Sequence, residues 1–241
     1  MWETMQSAGY FSRHPDYEQH FGVAPDAAEQ ALDRQLLTLD YSADEFVFPV
    51  PYSPALERSV KRTEAFWLPR MFSLPDSGAA LDVGCGYGRT VAWLSDCYQQ
   101  VTGTDISATA IAAAKKFLAQ RSNITLLTNE ANGLPASLME NSFALVYAFT
   151  VFQHIPREFT RGLLKDIQKV LKADGCVIFN LLSGINEDRD DGVAGTEWAI
   201  GYSLAQARAL LTDCGLVESK IVRWSGPGTD VSWLWVQARK Q

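Results

Sequence analysis

Cysteine is scarce in this chain and poorly placed for metal or disulfide chemistry. The four that occur, Cys85, Cys97, Cys176 and Cys214, are widely scattered and form no C-x-x-C pair. That scatter excludes the usual zinc spacings and a disulfide framework. Cys97, Cys176 and Cys214 have apolar neighbours and are expected to be buried as small hydrophobes. No apolar run approaches the roughly 20 residues of a membrane-spanning helix. The start, Met1 to Met5, has no basic segment leading into an apolar one, so no secretory leader is expected and the cytoplasm is the default location. Basic clusters are also missing. Lys and Arg are dispersed, and the net charge is −7. A nucleic-acid partner needs a basic face to neutralise phosphates. Neither nucleic acid nor membrane is expected as a partner, and a small or neutral molecule is favoured.

What is present is a long alternation of strand-like and helix-like segments from about residue 75 onward. Ala79 to Val83 reads as a strand ending in glycines, and a helix follows from Arg89. Gln100 to Asp105 is a second strand, with Ser107 placed to cap the helix Ala108 to Gln120. Ile124 to Thr128 is a third strand. Phe143 to Phe149 is a fourth, apolar almost throughout, as a strand covered on both faces should be. Pro156 opens an amphipathic helix to Leu171, with Leu163, Leu164, Ile167, Val170 and Leu171 at helical spacing. Asp174-Gly175 turns into a fifth strand, Cys176 to Leu182. Ser203 caps a further helix to Cys214, with Gly215 as its C-terminal glycine. Val217 to Trp224 and Val231 to Arg239 are two strands with no room for a helix between them, so they must pair antiparallel.

The expected fold class is therefore α/β: a mostly parallel sheet with helices on both faces and an antiparallel last strand. Residues 1–74 differ in character and read as an N-terminal helical cap, with helices over Ala27–Leu39 and Ala55–Trp67 around a Pro- and aromatic-rich stretch. Residues 75–241 form the main domain. The cap either covers apolar surface or acts as a lid that closes over a ligand.

The chemistry starts at Leu81-Asp82-Val83-Gly84-Cys85-Gly86-Tyr87-Gly88-Arg89, between the first strand and the first helix. Glycines there allow a tight bend and let the backbone approach a ligand, while the helix N-terminus offers unpaired N–H groups. The spacing is G-x-G-x-G, and Arg89 occupies the place of the third glycine of a dinucleotide fingerprint. Asp105 ends the second strand about twenty residues downstream, where a carboxylate can accept both ribose hydroxyls.

These runs, with Asn129-Glu130-Ala131-Asn132-Gly133-Leu134-Pro135 and the stretch from Phe143 to Pro156, resemble the class I S-adenosylmethionine-dependent methyltransferase family over about residues 75–241. The resemblance implies a seven-stranded sheet in the order 3-2-1-4-5-7-6 and S-adenosylmethionine as cofactor. It implies that the backbone at Gly84, Cys85 and Gly86, with Gly88 in the same turn, holds the methionine part. Asp82 would help hold the amino group, Asp105 the ribose, and Ile106 would pack on the adenine. Glu130 and Ala131 would reach the adenine edge, and Phe149 would lie near the cofactor. Ala144 stands where relatives usually carry Asp. No N-P-P-Y or D-P-P-Y sequence follows the fourth strand, so the signature of nucleobase and glutamine amine methylation is missing.

Methyl transfer from a sulfonium needs alignment and exclusion of water, and a base only when the acceptor must lose a proton. His154, after the fourth strand, is the candidate base, with loop orientation as its other reading. Tyr147 is expected to pack. His14 and His20 are expected on the surface or cap. The acidic loop 183–201, with Glu187, Asp188, Asp190, Asp191 and Glu197, reads as solvated, as acceptor-recognising near Trp198 and Tyr202, or as an oxygen-ligand magnesium site. No metal is assigned. The expected activity is methyl transfer to oxygen or nitrogen of a small molecule. A non-catalytic binding subunit or a protein methyltransferase are the alternatives.

Overall fold

The structure is a computed structural model, and it describes residues 25–51, 53–130, 133–189 and 200–241. His14, His20, Ala131, Asp190, Asp191, Glu197 and Trp198 lie outside the described residues.

The chain-ordered elements are α1 (Ala27–Leu36), β1 (Glu45–Val47), α2 (Pro54–Met71), β2 (Ala79–Val83), α3 (Arg89–Cys97), β3 (Gln100–Asp105) and α4 (Ala108–Phe117). There follow β4 (Ile124–Thr128), β5 (Phe143–Ala148), a 3-10 turn (Phe152–His154), α5 (Arg157–Val170), β6 (Leu171–Ser183), α6 (Leu204–Asp213), β7 (Leu216–Ser225) and β8 (Ser232–Lys240). Local chemistry sets several boundaries. The Ser107 hydroxyl accepts from the Ala110 N–H at the start of α4. Ser203 and Gln206 cap α6 reciprocally. Gly215, with φ of +68°, ends that helix in the left-handed region.

The sheet has eight strands in the order β1-β7-β8-β6-β5-β2-β3-β4. Strands β4, β3, β2, β5 and β6 run parallel, and β8 pairs antiparallel with both β6 and β7. Seven of these reproduce the expected order and the antiparallel ending. The eighth, β1, was expected as irregular chain, yet it pairs parallel with β7 through Glu45↔Arg223 to Val47↔Ser225. Three residues followed closely by Pro49 and Pro51 carry too little alternation to announce a strand. It forms because the outer edge of β7 offers unpaired backbone groups.

Every residue of β5 is buried, and its side chains supply two cores in alternation. On one face Val146 and Ala148 join Val177, Phe179 and Val236 under α5 and α6. On the other face Leu145 and Tyr147 join Ile178, Trp224 and Trp235 under the N-terminal segment and α3. The N-terminal segment enters this second core through Leu32, Leu36, Tyr41, Phe48, Val60, Trp67 and Leu68. Arg58–Glu29 at 2.6 Å and Arg62–Asp33 at 3.1 Å tie α1 to α2. Cys176 and Cys214 are buried as expected, but Cys97 is exposed. Val91 and Leu94 take the inward face of α3, and Tyr98, extended at its C-cap, fills the next inward slot.

Candidate active site

The β2–α3 connection bends at Gly84 and Gly86, whose φ values of +71° and +52° are left-handed and favour glycine. The two are needed for different reasons. A Cβ on Gly84 would lie 2.5 Å from Val151 Cγ2, whereas one on Gly86 would meet nothing within 4 Å. Gly86 therefore faces open space, the place where a ligand can lie against bare backbone. The loop is anchored to β3: the Gly84 and Cys85 N–H groups donate to the Thr104 carbonyl at 2.7 and 2.9 Å. Gly88 caps α3 with φ of +86° and packs against Leu118 and Ala114.

Asp105 holds the bend from the other side. Its Oδ2 accepts from the Gly86 N–H at 2.9 Å and its Oδ1 from the Ser107 N–H at 2.8 Å. Burial raises its pKa, and these two N–H groups work against the rise. Asp82 is buried, and its Oδ2 has no hydrogen-bond partner among the described residues. Burial first, then the neighbouring Glu64 carboxylate, pushes the Asp82 carboxyl well above its ordinary range; Arg89 opposes this.

Glu64 was not anticipated. It lies on α2, fully enclosed, with its carboxylate accepting from the Arg89 guanidinium and from the Tyr147 hydroxyl. Arg89 also donates to the Lys61 carbonyl at 2.8 Å, so the N-terminal segment is latched onto the start of α3. Burial raises the Glu64 pKa, with Arg89 the largest opposing influence. Tyr147 is thus a core residue whose hydroxyl supports this carboxylate. Asp82 thus lies in the field of Glu64, Asp105 and Arg89, and Lys61 acts on Glu64 as a second cation.

The Cys85 thiol is buried and held protonated by burial and by Asp82 and Asp105. Ile106 is half-buried directly after β3. Glu130 is exposed at the end of β4, and the Asn129 amide donates to its carbonyl at 2.8 Å.

Beyond β5 the wall changes character. A cavity of about 570 Å³, open to solvent, begins at Phe149 and Thr150 and runs over β6, β8 and β7. Phe48 from the N-terminal segment, Val60 from α2, and Trp224, Trp233 and Trp235 enclose it. Thr150 is a β-branched residue at φ of +57°, a strained conformation of the kind that concentrates at functional sites. Asn180 holds it: its Oδ1 accepts from the Thr150 N–H at 2.7 Å.

His154 lies in the 3-10 turn just past this point but is not part of the cavity wall. Burial lowers its pKa to about 4, with Glu57 raising and Lys61 lowering it. The Gln153 amide lies 3.0 Å from His154 Nε2 and donates to it in the neutral ring. A weakly basic ring with that lone pair engaged favours the loop-orienting reading over the base. In the acidic loop, Glu187 Oε1 accepts from the Gly184 N–H at 2.7 Å and the Ser183 hydroxyl at 3.1 Å. That carboxylate braces a turn. Arg157 lies over the Tyr202 ring at 4.2 Å and donates to the Glu187 carbonyl at 2.9 Å, which buries both residues beneath the loop.

A glycine bend at the C-terminal end of β2 and a carboxylate at the end of β3 thus meet at one edge of the sheet. Residues 80–175 match the family model described as a methyltransferase domain. An S-adenosylmethionine-dependent methyltransferase from Mesorhizobium loti is similar in structure, with TM-score 0.60, 20% identity, and 75% of this chain and 100% of that one covered. Another from Aquifex aeolicus has TM-score 0.56 and 20% identity, with 77% and 93% covered. The YcgJ protein of Bacillus subtilis has TM-score 0.59 and 14% identity, with 75% and 99% covered. No curated protein matches the chain. The matched segment is a methyltransferase domain, and the fold is that of S-adenosylmethionine-dependent methyltransferases.

The residues present fit S-adenosylmethionine, the cofactor that the resemblance in sequence implies. The orphaned Asp82 oxygen suits a ligand bearing an ammonium, and the open face of Gly86 leaves room for its chain. Asp82 and Glu64 would face the amino end, and Asp105 the ribose.

Proposed function

We propose that the enzyme methylates an oxygen or nitrogen of a small-molecule acceptor held in the cavity beyond β5. The observation that carries this reading is the position of that cavity: it starts at Phe149 and Thr150, the residues that follow the strand beside the cofactor bend. The cofactor, when bound, supplies an electrophilic methyl group: the acceptor lone pair forms the new bond to carbon, the carbon–sulfur pair returns to sulfur, and the acceptor sheds one proton. The protein's share is alignment and dryness. Thr150 and Asn180 form a rigid floor at the end of β5, and α2 covers the site from above, latched by Arg89 and Glu64. The N-terminal segment serves as the lid under which the acceptor enters.

Incubation of the enzyme with methyl-labelled cofactor and a cell extract tests this reading. Label should appear in the organic-soluble fraction. Label confined to precipitated protein would favour a protein acceptor instead. If His154→Ala keeps near wild-type turnover and pH dependence, the histidine only orients its loop, and loss of the acidic limb alone would restore it as the base.

A further inference from the structure

The cofactor bend and the acceptor cavity meet at one short run of chain, Phe149 to Phe152, directly after β5. Phe149 and Thr150 line the cavity. Val151 rests on the bend, so close that a Cβ on Gly84 would lie 2.5 Å from its Cγ2. Phe152 is fully buried and meets Phe179 edge-on at 5.2 Å. The run therefore touches both halves of the site, and its path sets the spacing between them.

Two local costs are concentrated here. Thr150, a β-branched residue, is held at φ of +57°, where glycine is favoured. Asn180 is 1% exposed in the otherwise apolar run Cys176 to Leu182, and its Nδ2 has no hydrogen-bond partner among the described residues. An aliphatic side chain would avoid that second cost. What it could not supply is the Asn180 Oδ1, which accepts from the Thr150 N–H at 2.7 Å. This bond ties the strained turn to β6, an interior strand flanked by β5 and β8. The buried amide does this without meeting a ligand itself.

We propose that Asn180 is a positioning residue for methyl transfer: through the Thr150 backbone it fixes the run between bend and cavity, and with it the approach of the acceptor to the methyl group. This rests on the small-molecule reading above and deepens it. In-line displacement is sensitive to small errors of alignment, so the role acts on the rate of transfer and leaves cofactor affinity nearly untouched.

The test uses the full chain, methyl-labelled S-adenosylmethionine and increasing amounts of the small-molecule fraction of a cell extract. Plateau rate and half-saturating amount are read separately, and S-adenosylhomocysteine affinity is read by calorimetry. Asn180→Ala should lower the plateau at least about ten-fold, with the half-saturating amount and the affinity within about three-fold of wild type. Asn180→Asp keeps an oxygen for the Thr150 N–H and should hold the plateau within about three-fold. Thr150→Gly takes the left-handed turn without help and should alone cost about three-fold. Placed on Asn180→Ala, it should recover several-fold of the lost rate, a non-additivity that a packing role for Asn180 would not give. Asn180→Ala with a wild-type plateau, a double variant no faster than Asn180→Ala, or a folded Asn180→Asp as slow as Asn180→Ala would each overturn the role and leave small-molecule methylation standing. No labelled small molecule from the wild type would overturn that reading, and this role with it.

Discussion

At the β2–β3 edge the wall of the site is bare glycine backbone and carboxylate, with Asp82 near Asp105, Glu64 and Arg89. Over β5 to β8 it is aromatic ring, with Phe149, Trp224, Trp233 and Trp235 and a single carboxylate already paired. The first edge uses shape and charge to take a ligand whose identity is invariant across the chemistry. The second is mainly flat apolar area. One consequence is a division of stability: the aromatic half is core as well as site, while the glycine half is mainly site.

That division can be broken most directly at Trp235, which is 1% exposed and touches Trp67, Trp224 and Phe149. Trp235→Ala should destabilise the fold by about 4 kcal/mol, as large-to-small core changes do. In a chain of this size that is a melting-temperature drop of roughly 10 °C. Gly86→Ala should do the reverse. Its Cβ meets no neighbour, so only the left-handed backbone is penalised, by about 1 kcal/mol of stability. The added methyl nevertheless fills the cofactor's side of the bend, and affinity for S-adenosylhomocysteine should fall more than ten-fold by calorimetry. A Trp235→Ala protein as stable as Gly86→Ala would erase the distinction.

Two pH effects sharpen the same contrast. His154 has its pKa lowered to about 4 from an unfolded value near 6.5, so the unfolded chain binds more protons between those values. Stability from this residue is complete above pH 6.5 and is lost as pH falls to 4, by about 3 kcal/mol at most. His154→Gln should flatten urea-denaturation midpoints across that window. The carboxylates act with the opposite sign. Asp82 and Glu64 have raised pKa values, so the folded protein without ligand holds protons that the unfolded chain has released, and stability falls as pH rises through the raised values. A cationic ligand favours the ionised forms, and its affinity should therefore tighten with rising pH over that same range. Glu64→Gln should reduce that pH dependence and weaken cofactor binding by a few-fold. Equal pH dependence in both proteins would remove Glu64 from the site.

The glycine half was legible in the sequence because its determinants are local. Asp82 to Asp105 is one strand–helix–strand unit, and the spacing of bend and carboxylate is written along a single short stretch. The aromatic half is assembled from Phe48, Val60, Phe149, Asn180 and the β7–β8 hairpin, which share no spacing. Nothing in a linear reading joins Asn180 to Thr150. Glu64 escaped for a related reason: three places from Lys61 on a helix, it reads as a solvated charge, and only docking of α2 over the bend encloses it. Cys97 misled because apolar neighbours in sequence do not say which side of a helix end faces inward.

The central claim is that the bend and Asp105 hold an adenosyl cofactor. Calorimetric titration of S-adenosylhomocysteine into wild-type and Asp105→Ala protein, side by side, tests it. Single-site binding in the wild type, weakened by about a hundred-fold when two charge-assisted hydrogen bonds are lost, is the predicted result. Equal affinity in the two proteins, or no binding in the wild type while a nicotinamide nucleotide binds, would contradict it.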